Sequence, residues 1–160
     1  MSFGSIVRGL IKSNVEFVVV GGVAAAAHGS TIITNDLDVC YSPTDENVKR
    51  LASRLRRWRP YPRGIEKGLP FIMDAKTFHI TPILTLSTSQ GPLDLLDRIE
   101  GVGDYAAVLK QSESVEAFDS HFRVLTLRAL IAAKRAAGRP KDYAQLPELE
   151  ALEALLAQKR

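Results

Sequence analysis

The sequence predicts a single α/β (α+β) domain over residues 1–160: a mixed β-sheet packed with helices and closed by C-terminal helices. Three observations predict it. A length of 160 residues suffices for one full core. Apolar content of 46% and charged content of 24% are those of an ordinary globular chain. Strand-like and helix-like segments mix without the strict strand–helix–strand rhythm of a doubly wound fold. Within the domain, the expected division is a core of about residues 1–125 and a helical part of about 126–160.

The elements follow in order. Phe3, Ile6, Val7, Leu10 and Ile11 fall at helical spacing, so residues 3–13 read as an amphipathic helix. The β-branched run "EFVVV" is a buried strand ended by Gly21-Gly22. Residues 22–28 read as a short helix and "DLDVCY" as an alternating strand. In "SPTDENVKRLASRLRRW", Ser42 reads as N-cap, with Pro43 first in the helix and Asp45 three after the cap. "RPYPRGIEKGLP" reads as loop, from its prolines and glycines. "FIMDAKTFHITPILTLST" reads as β structure, with Pro82 at an edge or bulge. "PLDLL" is a short strand, "DYAAVLKQS" a helix, and "HFRVLTL" a strand entering the helix "LRALIAAKRAAG". Gly138 and Pro140 stop that helix. "LPELEALEALLAQKR" is a last helix, acidic at its start and basic at its end as the helix dipole favours.

Several classes are disfavoured. No apolar run approaches the ~18–20 residues of a membrane span, and the N-terminus has no clean apolar signal region. Cys40 is the single cysteine, so no intramolecular disulfide forms and no thiolate metal cluster is present. The expected location is cytoplasmic. Net charge is only +3, but Lys49, Arg50, Arg54, Arg56, Arg57, Arg59, Arg63 and Lys67 lie within one stretch, against Glu66 alone. Such a run suits a polyanion, or forms a solvated helix face with a flexible loop.

The informative stretch is "VVVGGVAAAAHGSTIITNDLDV", Val18–Val39. A strand–Gly-Gly–helix junction brings backbone N–H groups to an anion, most often phosphate, or simply allows a tight turn. The spacing matches neither G-x-G-x-x-G nor a P-loop. Asp36 and Asp38 alternate along a strand and so share a face, roughly 6.5–7 Å apart, while Leu37 and Val39 point to the core. Paired carboxylates raise each other's pKa unless a cation holds them. Hard oxygen ligands suit Mg²⁺, or Mn²⁺ in its place. Three chemistries use D-x-D. Haloacid-dehalogenase phosphatases want Thr or Val where Cys40 stands, and glycosyltransferases are usually longer. Nucleotidyl transfer uses a third carboxylate from a neighbouring strand.

Gly21-Gly22, a short helix, Gly29-Ser30 and then Thr34-x-Asp36-Leu37-Asp38 resemble the signature of the DNA polymerase β-like nucleotidyltransferase superfamily. The "GPLDLL" and "LIAAKRAAGRPKDYAQLPELEAL" segments are similar to those of small bacterial proteins related to abortive-infection and type IV toxin modules. The resemblance covers most of the chain. It implies a nucleotidyltransferase fold, a nucleoside triphosphate substrate, Mg²⁺ or Mn²⁺, and a toxin-type role with an antitoxin partner. It makes Asp94 the third carboxylate, beside Asp36 and Asp38, in both metal binding and catalysis. Gly21, Gly22 and Ser30 would border the phosphates. Ile32 departs from the pattern, standing where relatives often carry Arg.

Lys134 stands apart from the resemblance. Leu127, Leu130, Ile131 and Lys134 form one helical stripe, so this lysine projects from an inward face and needs an anion, either a triphosphate or a carboxylate. In related nucleotidyltransferases a lysine on such a helix often meets nucleotide phosphates. The expected function is transfer of a nucleoside monophosphate to an acceptor. RNA, such as tRNA, is suggested by Arg54, Arg56, Arg57 and Arg59. The rivals are a catalytically silent nucleotide- or partner-binding module and a small-molecule (antibiotic) nucleotidyltransferase, against which the basic run argues. Trp58, Tyr61 and Arg63 could stack a base, and His28 reads as a helix-end residue rather than a ligand.

Overall fold

The computed structural model describes residues 2–159. Among these residues, nine strands and seven helices run in the order α1 (Phe3–Lys12), β1 (Phe17–Val20), α2 (Gly21–Ala27), β2 (Leu37–Tyr41), α3 (Asp45–Arg56), β3 (Tyr61–Pro62), α4 (Ala75–Ile80), β4 (Leu84–Ser87), β5 (Leu93–Leu96), β6 (Arg98–Ile99), β7 (Gly103–Asp104), α5 (Tyr105–Lys110), β8 (Ser112–Ala117), β9 (Ser120–Leu125), α6 (Leu127–Ala137) and α7 (Pro140–Gln158).

Seven strands form one mixed sheet in the order β3-β4-β5-β2-β1-β9-β8, and β6 and β7 make a small hairpin beside it. The β1–β9 and β2–β5 pairs are parallel, and the other neighbours are antiparallel. Central strand β1 is buried along its whole length, as its run of valines requires. On β2, Leu37 and Val39 are fully buried, while Asp38 turns to the other face. Burial of each such side chain contributes roughly 1.5–3 kcal/mol. A one-residue slip would expose both and bury Asp38, so the register is strongly held. Cys40 lies in the same core, and burial pushes its thiol up to about 12.

Five local expectations are corrected. The helix α3 is capped by Thr44, whose Oγ1 accepts from Asn47 N at 3.3 Å, and not by Ser42, which is buried ahead of it. Residues 71–88 are not continuous β structure. Asp74 and Thr77 form a reciprocal capping box that starts helix α4, and only Leu84–Ser87 is strand. The loop after Trp58 contains β3, two residues that join the sheet edge. Ser112–Ala117 adds strand β8, paired with β9 through a tight turn in which Phe118 and Asp119 both have positive φ. The last helix starts at Pro140 rather than Leu146, and Pro147 lies inside it. Pro140 takes the first helical position, where its missing N–H costs nothing. Arg160, the last residue of the predicted helix, lies outside the described residues.

Helices α6 and α7 pack against each other after β9. Gly138, in the left-handed conformation at φ 63°, turns the chain between them. Among the described residues, no helix is long and apolar enough to cross a membrane.

Candidate active site

The sheet register builds the site. Asp38 on β2 stands directly opposite Asp94 on β5. Thr85 on β4 stands opposite Asp94 on its other side, and Val20 on β1 stands opposite Asp38. Residues opposite one another share a face of the sheet. Thr85, Asp94 and Asp38 therefore form a row, and the buried leucines Leu93 and Leu95 occupy the other face. Just past β3, Arg63 extends the row by donating its backbone N–H to the Thr85 carbonyl at 2.9 Å.

The two glycines have separate structural reasons. Gly21 has φ +64°, and a Cβ there would lie 2.2 Å from Asp38 Oδ2. Only a residue without a side chain permits both that backbone and so close a carboxylate. At Gly22 a Cβ would meet Thr34 Cβ at 2.7 Å. Thr34 itself donates to the Asp36 carbonyl at 3.2 Å, holding the approach to β2. The glycine pair thus brings Asp38 and Thr34 against the start of α2, whose first N–H groups receive no side-chain cap.

The acidic side chains are held unequally. Arg63 donates from Nη2 to Asp94 Oδ1, and the same nitrogen lies 3.7 Å from Asp36 Oδ2. Its Nη1 donates to the Leu86 carbonyl at 3.0 Å. Asp38 has no such partner, and its Oδ1 is buried without a hydrogen bond. Burial pushes the Asp38 carboxyl up to about 7, helped by the charges of Asp94 and Asp36 and opposed by Lys134.

Lys134 lies 3.4 Å from Asp142 Oδ1. Asp142 is inaccessible to solvent and also accepts from Arg139 Nε at 2.7 Å and from the Arg139 backbone at 3.1 Å. Of the two anions open to Lys134, the structure supplies the carboxylate. Ser30 Oγ donates to Glu148 of α7, and Thr31 Oγ1 donates to the same carboxylate at 2.7 Å. Glu148 therefore fastens the Gly29-Ser30 loop to the last helix. His28 is a helix-end residue, its Nε2 2.8 Å from the Leu125 carbonyl.

Gly21, Gly22, Ser30, Asp36, Asp38, Asp94 and Lys134 all border one cleft of about 370 Å³. Ile32 borders it too, and Arg139 and Lys141 add positive charge. A second, larger cavity of about 1120 Å³ adjoins it at Gly21, Asp38 and Lys134. The basic run divides. Arg54 Nε donates to Ser13 Oγ at 2.6 Å, and its guanidinium lies over Trp58. Arg56 donates to the Met73 carbonyl at 3.0 Å. Lys49, Arg57 and Arg59 are exposed. Trp58 is buried and packs against Gly9, so it does not present a stacking face.

Among the described residues, no group of three or more His, Cys, Asp or Glu is gathered closely enough to hold a metal as it stands. The chemistry of the donor set nevertheless fits a divalent cation. Hard carboxylate oxygens from Asp38 and Asp94 adjoin, Asp36 stands beside them, one oxygen is orphaned, and a guanidinium already bridges two of the three.

Three contributors were not identified as site residues from the sequence. In the sequence Arg63 reads as part of a basic run or as a stacking residue, Thr85 lies in a segment that reads as β, and Glu148 lies in a helix whose visible feature is its dipole. Their contacts span 31 residues for Arg63–Asp94 and 118 for Ser30–Glu148, so no local pattern marks them.

No protein-family description matches the chain, and no curated protein matches it. Among solved structures, it is similar to a Thermotoga maritima protein named a "putative nucleotidyltransferase", at 17% identity and a TM-score of 0.50, over 100% of this chain and 97% of that one. The seven-stranded mixed sheet with its packed helices is a nucleotidyltransferase-like fold.

Proposed function

We propose that the protein transfers a nucleoside monophosphate from a nucleoside triphosphate to an acceptor hydroxyl, releasing pyrophosphate, with Mg²⁺ or Mn²⁺. The observation that carries the reading is the pairing of Asp38 with Asp94 beside the Gly21-Gly22 turn, in a cleft that also receives Asp36 and Lys134. The fold likeness supports it in outline. A bound metal would supply electrostatic stabilisation of the phosphoryl group. Asp36, Asp38 and Asp94 would hold it. Asp94 takes the proton of the attacking hydroxyl. The uncapped N–H groups at Gly21 and Gly22 donate to phosphate oxygens. Ser30, fixed by Glu148, borders the phosphates, and Lys134 offsets charge on the departing pyrophosphate.

Exposed Arg57, Arg59 and Lys49 favour RNA as acceptor. The toxin-type role with an antitoxin partner rests on the sequence resemblance. One observation favours the rival silent module: Arg63 and Asp142 already pair with groups that the reaction would use.

Incubation with each labelled triphosphate, Mg²⁺ and total RNA or protein tests the proposal, with Asp36→Ala and Asp38→Ala as controls. Label transfer lost in both controls is the expected result. Nucleotide binding without transfer selects the silent module, and no transfer with no nucleotide or metal binding by calorimetry overturns the site itself. Charge reversal at Arg57 and Arg59 should weaken RNA binding, and unchanged affinity removes the RNA acceptor.

A further inference from the structure

We infer that Arg63 is the resident counter-cation of the carboxylate site, and that a divalent ion binds by displacing its guanidinium from Asp94 and Asp36. The inference rests on the metal-dependent reading above and assigns Arg63 the part of a positioning residue.

The contacts suit exchange rather than a permanent pair. Arg63 Nη2 serves both Asp94 and Asp36, drawing together two carboxylates that would otherwise repel. The pair is not sealed from water: the side chains are 31% exposed for Arg63, 21% for Asp94 and 41% for Asp36. A partly solvated ion pair exchanges at small cost, whereas a sealed one leaves an uncompensated charge when broken. Displacement does not cast the side chain loose. Its backbone N–H stays on Thr85, and Nη1 has the Leu86 carbonyl.

Arg63 also serves the site incompletely. It approaches from the outer strands and contacts no oxygen of Asp38, whose Oδ1 is left without a partner. A divalent ion held by Asp36, Asp38 and Asp94 would give Asp38 the partner that a guanidinium tethered beside β3 does not. The loaded state therefore gains at Asp38 what the resting state lacks. In the resting state Arg63 keeps Asp94 and Asp36 in position and lowers apparent metal affinity by the fraction of time it is seated.

The test is Mn²⁺ titration by calorimetry of the chelator-stripped full chain, comparing wild type, Arg63→Gln and Arg63→Lys. A seated state holding about nine-tenths of molecules predicts roughly ten-fold tighter Mn²⁺ binding in Arg63→Gln. Arg63→Lys, which keeps the charge without the fork, falls between. In chelator, Arg63→Gln melts below wild type, and saturating Mn²⁺ closes the gap. A purely structural arginine gives the opposite sign, since its loss loosens the carboxylates and weakens binding. Equal or weaker binding by Arg63→Gln, with wild-type binding intact, overturns the exchange alone. No Mn²⁺ binding by any form overturns both the exchange and the metal reading.

A second measurement uses the wild type and does not depend on variant folding. The ¹⁵N signals of arginine side chains are followed during Mg²⁺ addition. One signal, the one missing in Arg63→Lys, should move with metal occupancy. Saturation with no arginine signal moving overturns the exchange.

Discussion

Replacing Asp38 with Asn should stabilise the metal-free protein at neutral pH. Asp38 is half-buried, its Oδ1 has no hydrogen-bond partner, and its carboxyl is pushed from 3.8 up to about 7 by burial and by Asp94 and Asp36. Between pH ~4 and ~7 the folded chain therefore holds a proton that the unfolded chain releases, so stability falls as pH rises through that window. The penalty is complete above pH ~7. A shift of about three units at ~1.4 kcal/mol each sets a ceiling of about 4 kcal/mol. Asp94 and Asp36 share the effect, so about half is expected from Asn, which keeps the shape and removes the charge. For a chain of 160 residues that is roughly 4–8 °C of melting temperature at pH 8. The assay is thermal unfolding in chelator at pH 4.5, 6 and 8. The gain should be smallest at pH 4.5, about a quarter of its full size, and largest at pH 8. Saturating Mg²⁺ should raise the wild-type melting temperature and leave the variant unmoved. A gain independent of pH, or a variant less stable at pH 8, refutes the reasoning.

Two further outcomes are expected. Gly21→Ala meets both a left-handed backbone and Asp38 Oδ2, whereas Gly64→Ala at φ +84° meets only the backbone cost, with open space around it. By denaturant melts the first should lose clearly more than the ~1–2 kcal/mol of the second, and calorimetry should show weakened Mn²⁺ binding only in the first. Equal losses would remove the close approach as the reason for that glycine. Asp142→Ala removes the first-turn partner of Arg139 and the anion beside Lys134. Arg139 is 58% exposed, so solvent screens the pair and the cost should be about 1–2 kcal/mol. Arg139 holds the Asp142 carboxyl down at about 2, so this contribution is present above pH ~4 and fades as pH falls toward 2. A loss unchanged between pH 7 and pH 2.5 would show that the ion pair is not its source.

Much of the fold was legible because its signals are local. The helix stripe of α1, the valines of β1, the alternation on β2 and the glycine stop after α6 each depend on residues within a few positions. The segments that depart from the sequence reading do so for separate reasons. In 71–88 a capping box of two ordinary residues, Asp74 and Thr77, outweighs an apolar run that suits a strand. β3 is two residues long and exists only because β4 offers an edge. β8 is sparse in apolar residues because it is the outer strand of the sheet.

The sequence by itself determined that Asp38 faces away from the core residues Leu37 and Val39, that the glycine turn stands just before it, and that Lys134 projects from an inward stripe. Those are consequences of a period of two along a strand and of 3.6 around a helix. It did not contain the distance between them. Strand order decided that Asp94 lies opposite Asp38, and that Gly21 is glycine because Asp38 closes on it. The packing of α6 and α7 decided that Lys134 is met by Asp142 and Ser30 by Glu148, and the sheet edge brought Arg63 to Asp94 and Asp36. Partner choice among charges depends on which backbones the hydrophobic register brings side by side, and that register is a property of the whole sheet.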